Sequence, residues 1–280
     1  MLEKRVPIGL QTLDAYLGGG VLPGSVILLK ADPSNFTEAI ALQFIVESLR
    51  AKNPAIYLCV VHPPEIVIRN LERYGLDIDA LAAERCLMFV DLSKKHVKLG
   101  SESIGAVPIV TERGIGVYLP KKGEKKFPRI EGCIIKVSDV DDKDEIEIAI
   151  SAALGKIGRV RDLRLICEST SEILTKDDVI QVLRFWKSMD ETLRRYDFVF
   201  IHIFPHGPRD DLFNAMSHHA DGVIELRCKE EDDKLKSYLI IKKMRGTTLP
   251  VNIFELVESE GRTNVEYLEK TAGVVRFVRP

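Results

Sequence analysis

The residues best placed to do chemistry lie in residues 28–44, where the sequence reads LLKADPSNFTEAIALQF. An apolar run leads into a short polar turn, and apolar residues at helical spacing follow the turn. A strand, a turn and a helix in this order are the usual frame of a phosphate-binding loop, whose glycines let backbone N–H groups close around the phosphates. Residues 31–38 contain neither Gly nor Lys. The frame of such a loop is therefore present without the residue types that normally bind phosphate.

The polar residues of this turn also have a purely structural interpretation. Asp32, Ser34 and Asn35 are typical helix N-cap residues, and Glu38 lies in the first helical turn, where a carboxylate interacts favourably with the helix dipole. We favour this interpretation over a new acidic site, because capping also explains how the turn stays folded without a bound anion.

Histidine and cysteine do not form a recognisable metal-binding pattern. His206 follows an apolar strand-like run, at the end of the strand where functional sites gather, while His218 and His219 lie in a polar stretch before Asp221. No Cys or suitably spaced carboxylate completes a ligand set, and none of the five cysteines form a CxxC pair. We therefore predict no metal site, buried free thiols and a packed core histidine at His202.

A basic stretch, KKGEKK, occupies residues 121–126 and has aromatic neighbours on both sides. Its four basic residues are Lys121, Lys122, Lys125 and Lys126. A basic tip with aromatic residues can bind the backbone and bases of nucleic acid, but such a stretch is more often a solvated hairpin turn. We favour the solvated turn and keep nucleic acid as the less favoured partner.

The composition indicates one large domain over residues 1–280. The chain is 45% hydrophobic and 29% charged, with a formal net charge of -2, which is ample for a sizeable core and gives no global reason to expect nucleic acid. No run of 18 or more apolar residues is long enough to span a membrane, and the first residues, MLEKRVPIG, lack the apolar core of a signal peptide. We therefore expect a cytoplasmic protein without a membrane segment.

Apolar strand-like runs alternate with amphipathic helical segments along most of the chain. The runs occupy residues 25–31, 55–61, 86–92, 162–168 and 196–204. Strands that are apolar throughout, separated by helices, predict an α/β fold with a mostly parallel central sheet and helices on both faces.

Two regions depart from this alternation. Residues 93–144 are rich in Gly and in short β-like pieces, including AVPIVTERGIGVYLP and RIEGCIIKV, and we interpret them as an inserted β-rich arm. From Asp221 onwards, DGVIELRC, a charged turn and LKSYLIIKK predict an antiparallel hairpin, which two further β-like runs follow.

An ordered set of segments resembles KaiC-like members of the RecA superfamily. The set comprises RVPIGLQTLDAYLGGGVLPGSVILL before the turn, IALQFIVESL after it, AIYLCVVHPPEIVIRNLERYGLDIDAL, LRLICESTSEIL, and HHADGVIELR followed by LIIKKMRGT. The resemblance implies a RecA/KaiC-like P-loop NTPase fold whose members bind ATP between adjacent subunits of a ring. It covers most of the chain except residues 93–144 and about the last twenty residues.

Laid on the family's GxxxxGK[ST] motif, the turn departs from it at each position that contacts phosphate or Mg²⁺. Ala31 stands for the first Gly, Phe36 for the second Gly, Thr37 for the Lys and Glu38 for the hydroxyl residue, with Ser34 between them. A ring replaces a near-phosphate Gly, and a carboxylate that repels phosphate replaces the Mg²⁺-binding hydroxyl. The resemblance therefore implies a degenerate phosphate loop.

The family's other catalytic positions point the same way. Val61 and His62 stand where the family carries a carboxylate pair, one member of which activates the attacking water. Glu168 stands at the acidic strand end, one methylene longer than the family's Asp. Lys243 and Arg245 match a basic finger that family members extend towards a neighbour's nucleotide.

These departures lead to one preferred function and two alternatives. The preferred one is a catalytically inactive KaiC/RecA-like protein that acts as a regulatory or protein-interaction module, in a ring or beside an active paralogue, with no cofactor. The first alternative binds ATP or ADP weakly without significant hydrolysis. The second alternative is a DNA-binding recombination accessory.

Overall fold

In a computed structural model of the chain, ten strands form one sheet and two form a separate hairpin. The structure describes residues 4–31, 35–93, 107–111, 114–118, 130–158, 162–194, 196–207, 209–231, 234–248, 253–259 and 262–267. The helices are α1 (Gln11–Tyr16), α2 (Asn35–Arg50), α3 (Pro64–Arg73), α4 (Ile78–Ala83), α5 (Lys143–Ile157), α6 (Val179–Leu193) and α7 (Asp210–Ser217). None of these helices is long and apolar enough to cross a membrane.

The strands of the large sheet run in the order β12-β11-β10-β9-β1-β8-β7-β2-β3-β6. In chain order they are β1 (Ser25–Ala31), β2 (Ala55–Cys59), β3 (Leu87–Asp91), β6 (Ile134–Lys136), β7 (Leu163–Cys167), β8 (Phe198–Pro205), β9 (Gly222–Glu231), β10 (Lys234–Met244), β11 (Ile253–Ser259) and β12 (Arg262–Tyr267). The seven strands from β9 to β6 pair in parallel, and β10, β11 and β12 continue the sheet antiparallel. This arrangement confirms the predicted fold class.

Helices cover both faces of the sheet at β1, where every residue is buried. On one face, Ile27 and Leu29 line a small cavity with Leu13 of α1 and Ile40 of α2. On the other face, β1 packs against α6 and α7, and the residues that line a second small cavity there include Val26, Leu28, Trp186 and Met216. Burial on both faces explains why β1 is apolar along nearly its whole length.

The sequence placed one strand of the large sheet wrongly. RIEGCIIKV was assigned to the β-rich insertion at residues 93–144, but Ile134–Lys136 forms β6, which pairs in parallel with β3 at the sheet edge. Ile130 and Cys133, just before it, are buried in the core, and α5 begins at Lys143. Residues 130–144 therefore belong to the large sheet, its core and the start of α5 rather than to an inserted arm.

The remaining described part of the insertion is a β-hairpin. β4 (Val107–Thr111) pairs antiparallel with β5 (Gly114–Tyr118), with Thr111 opposite Gly114. The described part of residues 107–118 therefore forms one antiparallel hairpin. The predicted basic tip at Lys121, Lys122, Lys125 and Lys126 lies outside the described residues.

Candidate functional site

The predicted strand before residues 32–34 and the predicted helix after them are confirmed, while residues 32–34 themselves lie outside the described residues. β1 ends at Ala31 and α2 begins at Asn35. Asp32 and Ser34 lie outside the described residues, so their predicted role as helix caps stays a prediction. Four parallel strands, β1, β8, β7 and β2, end side by side next to this turn. Open α/β sheets bind their ligands at this edge.

The first turn of α2 is connected to the neighbouring helix rather than open. Phe36 is half-buried and packs against the core, and Thr37 is half-buried as well. Glu38 accepts a hydrogen bond at Oε1 from the side-chain amide of Asn70 on α3. The Glu38 carboxylate therefore joins α2 to α3.

The structure brings Glu168, Val61 and His62 together, although more than a hundred residues separate them in sequence. Glu168 follows β7, and its backbone N–H donates to the carbonyl of Leu58 on the adjacent β2. Its side chain reaches across to the chain that leaves β2, where Oε2 accepts the N–H groups of Val60 at 3.1 Å, Val61 at 2.9 Å and His62 at 2.9 Å. Oε1 contacts Nδ1 of the His62 ring.

This contact fixes the direction of the carboxylate and favours protonation of the imidazole. The strand order places β2 on the side of β7 away from β1, so the Glu168 side chain reaches away from the end of β1. The hydrogen bond between the His62 ring and the accepting Glu168 carboxylate raises the pKa of His62 above its ordinary value, against the opposing effect of burial. Only 9% of the Glu168 side chain is exposed. The Glu168 carboxylate is therefore nearly buried and lies against the partly exposed His62 ring.

Lys30, one residue before the turn, forms a pair that the sequence reading missed. Its side chain is 10% exposed, and Nζ lies 2.8 Å from Oδ1 of Asp210 and 4.6 Å from the ring centre of Phe213, both on α7. The hydrogen bond from Lys30 lowers the pKa of Asp210. A lysine in an otherwise apolar buried strand was the available signal, because a buried ammonium group needs a partner.

The predicted finger residues lie at the far end of β1 and bond within their own chain. Arg245 forms an ion pair with Asp221 at 3.0 Å and donates to the carbonyl of Pro23, and Asp221 accepts the N–H of Val26 near the start of β1. Lys243 donates to carbonyls at the end of α7. The seven residues of β1 separate this end from the turn by about 20 Å, so the structure does not bring these residues to the turn of the same chain.

The histidines occupy the kinds of position that the sequence predicted. His202 is fully buried in β8, with Nδ1 3.1 Å from the hydroxyl of Thr170 and its ring 4.7 Å from that of Trp186. Burial lowers the pKa of His202 to about 3, so the ring is neutral. His206 follows β8, and His218 and His219 follow α7. Within the described ranges, no group of three or more His, Cys, Asp or Glu side chains could hold a metal ion.

A buried polar network behind α2 also escaped the sequence reading. Gln43 on α2 donates to the carbonyls of Gly9 at 3.1 Å and Thr263 at 2.8 Å, and accepts the N–H of Thr263 at 2.9 Å. Arg164 of β7 donates to the carbonyl of Phe44, and burial lowers its pKa to about 10. The helix that follows the turn is therefore tied to the N-terminal segment, to β7 and to the outermost strand, β12.

Comparisons with known proteins agree with this geometry. A family model described as "ATPase: KaiC" matches residues 6–265. The chain is 25% identical over 248 residues to a UPF0273 protein of Thermotoga maritima, covering 88% of each chain. It is 24% identical over 253 residues to a UPF0273 protein of Pyrococcus furiosus, covering 88% of this chain and 87% of the relative.

A solved structure shares the fold. The crystal structure of a KaiC-like protein from the hyperthermophilic archaeon Pyrococcus horikoshii superposes with a TM-score of 0.66 at 18% identity, covering 95% of this chain and 100% of that chain. At this identity the match shows the fold alone.

Proposed function

We propose that this chain, which belongs to the KaiC ATPase family whose model matches residues 6–265, has lost ATP hydrolysis and acts as a regulatory or protein-interaction module. Its departures from the family's catalytic residues support this proposal. The proposal concerns the chemistry at the ends of β1, β7 and β2. Under this proposal, the chain keeps the family's fold but does not carry out the family's reaction.

The observation that carries the proposal is the state of Glu168. An ionised carboxylate offers about four acceptor positions, and Glu168 already accepts three backbone N–H groups at Oε2 and contacts the His62 ring at Oε1. A carboxylate that is engaged in this way has little capacity left to hold the water shell of Mg²⁺. Its neighbour Val61 has no group that could accept a proton from an attacking water.

The first turn of α2 supports the same conclusion. The ring of Phe36 occupies the position of a near-phosphate Gly, Thr37 supplies no cation, and the carboxylate of Glu38 is bound to Asn70. A phosphate group placed here would meet a negative side chain at short range instead of a lysine.

A steady-state hydrolysis assay with ATP and Mg²⁺ tests the loss of activity. We expect turnover far below about 1 per second, a rate typical of enzymes, and no difference between the natural chain and a Glu168→Ala variant. Turnover near or above that rate, abolished in the variant, would overturn the proposal. The variant serves as the background control, because any contaminating ATPase contributes equally to both preparations.

Retained nucleotide binding without hydrolysis is the second candidate. The observation that favours it is that α2 still begins directly after the turn and runs for 16 residues, and a helix N-terminus attracts anions. A ligand that binds only the folded state must raise the melting temperature. A rise with ATP and Mg²⁺, absent with Mg²⁺ alone, would support this candidate and leave the proposed loss of hydrolysis standing.

The interaction role rests on the hairpin of β4 and β5. An isolated two-stranded hairpin is only marginally stable in water, and among the described strands β4 and β5 pair only with each other. Contact with another surface would therefore stabilise it. We take this arm, including the basic stretch with Lys121, Lys122, Lys125 and Lys126, as the contact surface for a protein partner, either an active relative or a second copy.

Deleting the hairpin tests this role. Residues 107–118 are replaced by a short Gly/Ser bridge, while β6 is kept because it belongs to the large sheet. We expect a folded protein that no longer captures its partner from a cell extract or no longer self-associates in size-exclusion chromatography. Unchanged capture and unchanged size would move the search for the interface to Lys243 and Arg245.

A charge variant is the matched control for the deletion. It replaces the four lysines of the basic stretch by Gln and leaves the hairpin intact. If it alone abolishes retention on single-stranded DNA, the DNA-binding alternative gains support over the protein-interaction role.

A further inference from the structure

We propose that the chain leaving β2 is an anion-binding nest and that Glu168 is its built-in ligand. The term nest is used here for the backbone of residues 60–62, whose successive N–H groups converge on one point. This inference rests on the proposed function. It identifies the group that fixes the conformation of residues 60–62 in a chain that binds no nucleotide there.

The convergence of donors is the first step. The N–H groups of Val60, Val61 and His62 donate to the same oxygen, Glu168 Oε2, at 3.1, 2.9 and 2.9 Å. Consecutive backbone N–H groups that share one acceptor form a concave site for an oxyanion, of the kind that holds phosphates and carboxylates elsewhere. The His62 ring, on Oε1, adds a side-chain donor.

The reach of the side chain is the second step. β7 and β2 are adjacent parallel strands, with Leu58 opposite Cys167, and Glu168 extends this ladder by donating its N–H to Leu58. The carboxylate must then cross one strand spacing and pass the end of β2. The extra methylene of Glu relative to Asp gives it this reach, which is a reason for Glu at this position that does not depend on Mg²⁺.

Burial is the third step. Only 9% of the Glu168 side chain is exposed, and a buried carboxylate is tolerated only when donors replace its lost hydration. Equally, the nest needs an anion, because its N–H groups converge without any other acceptor in the contacts described for them. Each half therefore stabilises the other, and the loop keeps one conformation without a ligand.

The consequence concerns the exposed surface of this loop. Val61, at the middle of the nest, has a side chain that is half exposed, at 50%. Fixing the backbone of residues 60–62 fixes the position of this apolar group at the sheet edge. A surface held in this way would be presented to a partner in one shape, independent of nucleotide.

Chemical rescue tests the proposal on the full chain. Glu168→Ala empties the nest, and we expect its melting temperature to fall by roughly 5–10 °C. Acetate or formate should then recover part of that loss in a concentration-dependent way, whereas the same ionic strength of chloride should not, and the natural chain should respond to neither. Amide NMR signals of residues 60–62 should shift in the variant on adding formate.

Two further variants keep the test decisive. If Glu168→Ala does not fold, Glu168→Gln retains the shape and one acceptor, so it should fold with a lower melting temperature that formate does not raise, because its amide oxygen still fills the nest. Glu168→Asp keeps the charge but shortens the reach, so it should be destabilised and rescued in the same way as Glu168→Ala. Equal responses of all chains to formate and chloride would overturn the nest, whatever the hydrolysis assay shows. ATP turnover by the natural chain, in contrast, would refute the proposed function and leave the nest intact.

Discussion

Replacing Gln43 by Met should separate the helix that follows the turn from its two backbone partners. The Gln43 side chain is buried, at 7% exposure, and joins α2 to Gly9 and to Thr263 of β12. Met has nearly the same volume and helix propensity, so the change removes hydrogen bonds without opening a cavity. The groups left behind are the N–H and carbonyl of Thr263 and the carbonyl of Gly9.

The magnitude follows from those three bonds. A typical internal hydrogen bond contributes about 1 kcal/mol net, and a buried group left without a partner costs about 1–3 kcal/mol. Burial of the Met side chain offsets part of this loss. We therefore expect the free energy of unfolding to fall by about 3 kcal/mol, which corresponds to a fall in melting temperature of roughly 6–12 °C.

Urea unfolding followed by circular dichroism measures the change, and Gln181→Met is the matched control. Gln181 lies exposed on α6, so the same substitution there should alter stability by no more than about 0.5 kcal/mol. Amide exchange should be faster at Thr263 in Gln43→Met alone. A loss below about 1 kcal/mol, with the exchange at Thr263 unchanged, would refute the view that this side chain fastens α2 to β12.

Two further predictions concern the turn and the pH dependence of stability. The motif residues are restored together by Phe36→Gly, Thr37→Lys and Glu38→Thr. We expect measurable nucleotide binding in isothermal titration calorimetry without restored hydrolysis. Failure to bind nucleotide would mean that other side chains now fill the cleft. Burial raises the pKa of Asp190 from 3.8 to about 7 and that of Asp14 to about 6, so the folded state binds these protons more tightly than the unfolded chain. Ionisation of Asp190 then lowers the free energy of unfolding. The natural chain should therefore lose stability relative to Asp190→Asn as the pH rises from about 4 to about 7, and the difference in stability should be constant above that range. A difference in stability that does not depend on pH would contradict the assigned pKa shift.

Most of the fold was predictable because a strand that is buried on both faces appears in the sequence as a continuous run of apolar residues. β1, β2, β3, β7 and β8 are buried along their length and consist almost entirely of apolar residues. Their alternation with helices suffices to predict a parallel sheet. The same reasoning identified the antiparallel hairpin of β9 and β10 from the charged turn between them.

The error at β6 has a physical cause of the same kind. Ile134–Lys136 is three residues long and only half-buried, and it follows a stretch rich in short β-like pieces. Sequence composition can indicate that such residues are extended, but it does not say which strand they pair with. β6 pairs with β3, whose residues are more than forty positions earlier in the chain, so the pairing depends on the three-dimensional position of the sheet edge.

The candidate site was predictable in its positions and not in its contacts. The resemblance located Val61, His62 and Glu168, yet nothing in their spacing indicated that one carboxylate would bind three backbone groups and an imidazole. The resemblance placed Glu168 only at the family's acidic strand end, one methylene longer than the family's Asp. Side-chain direction depends on the conformation of the opposite loop, which a single sequence does not specify.

Three charged groups near the carboxyl ends of β1 and β7 and the start of α2 have partners within the chain. A charge near the end of a buried strand needs a partner, and in the active family the nucleotide and its metal ion supply much of that compensation. Among the described residues, Glu168 contacts His62, Glu38 accepts a hydrogen bond from Asn70 and Lys30 pairs with Asp210. Because these pairs form on different elements, restoring the motif in the turn releases only the contact of Glu38. The contacts of Glu168 would remain. We therefore expect a chain with the restored turn to bind nucleotide without hydrolysing it.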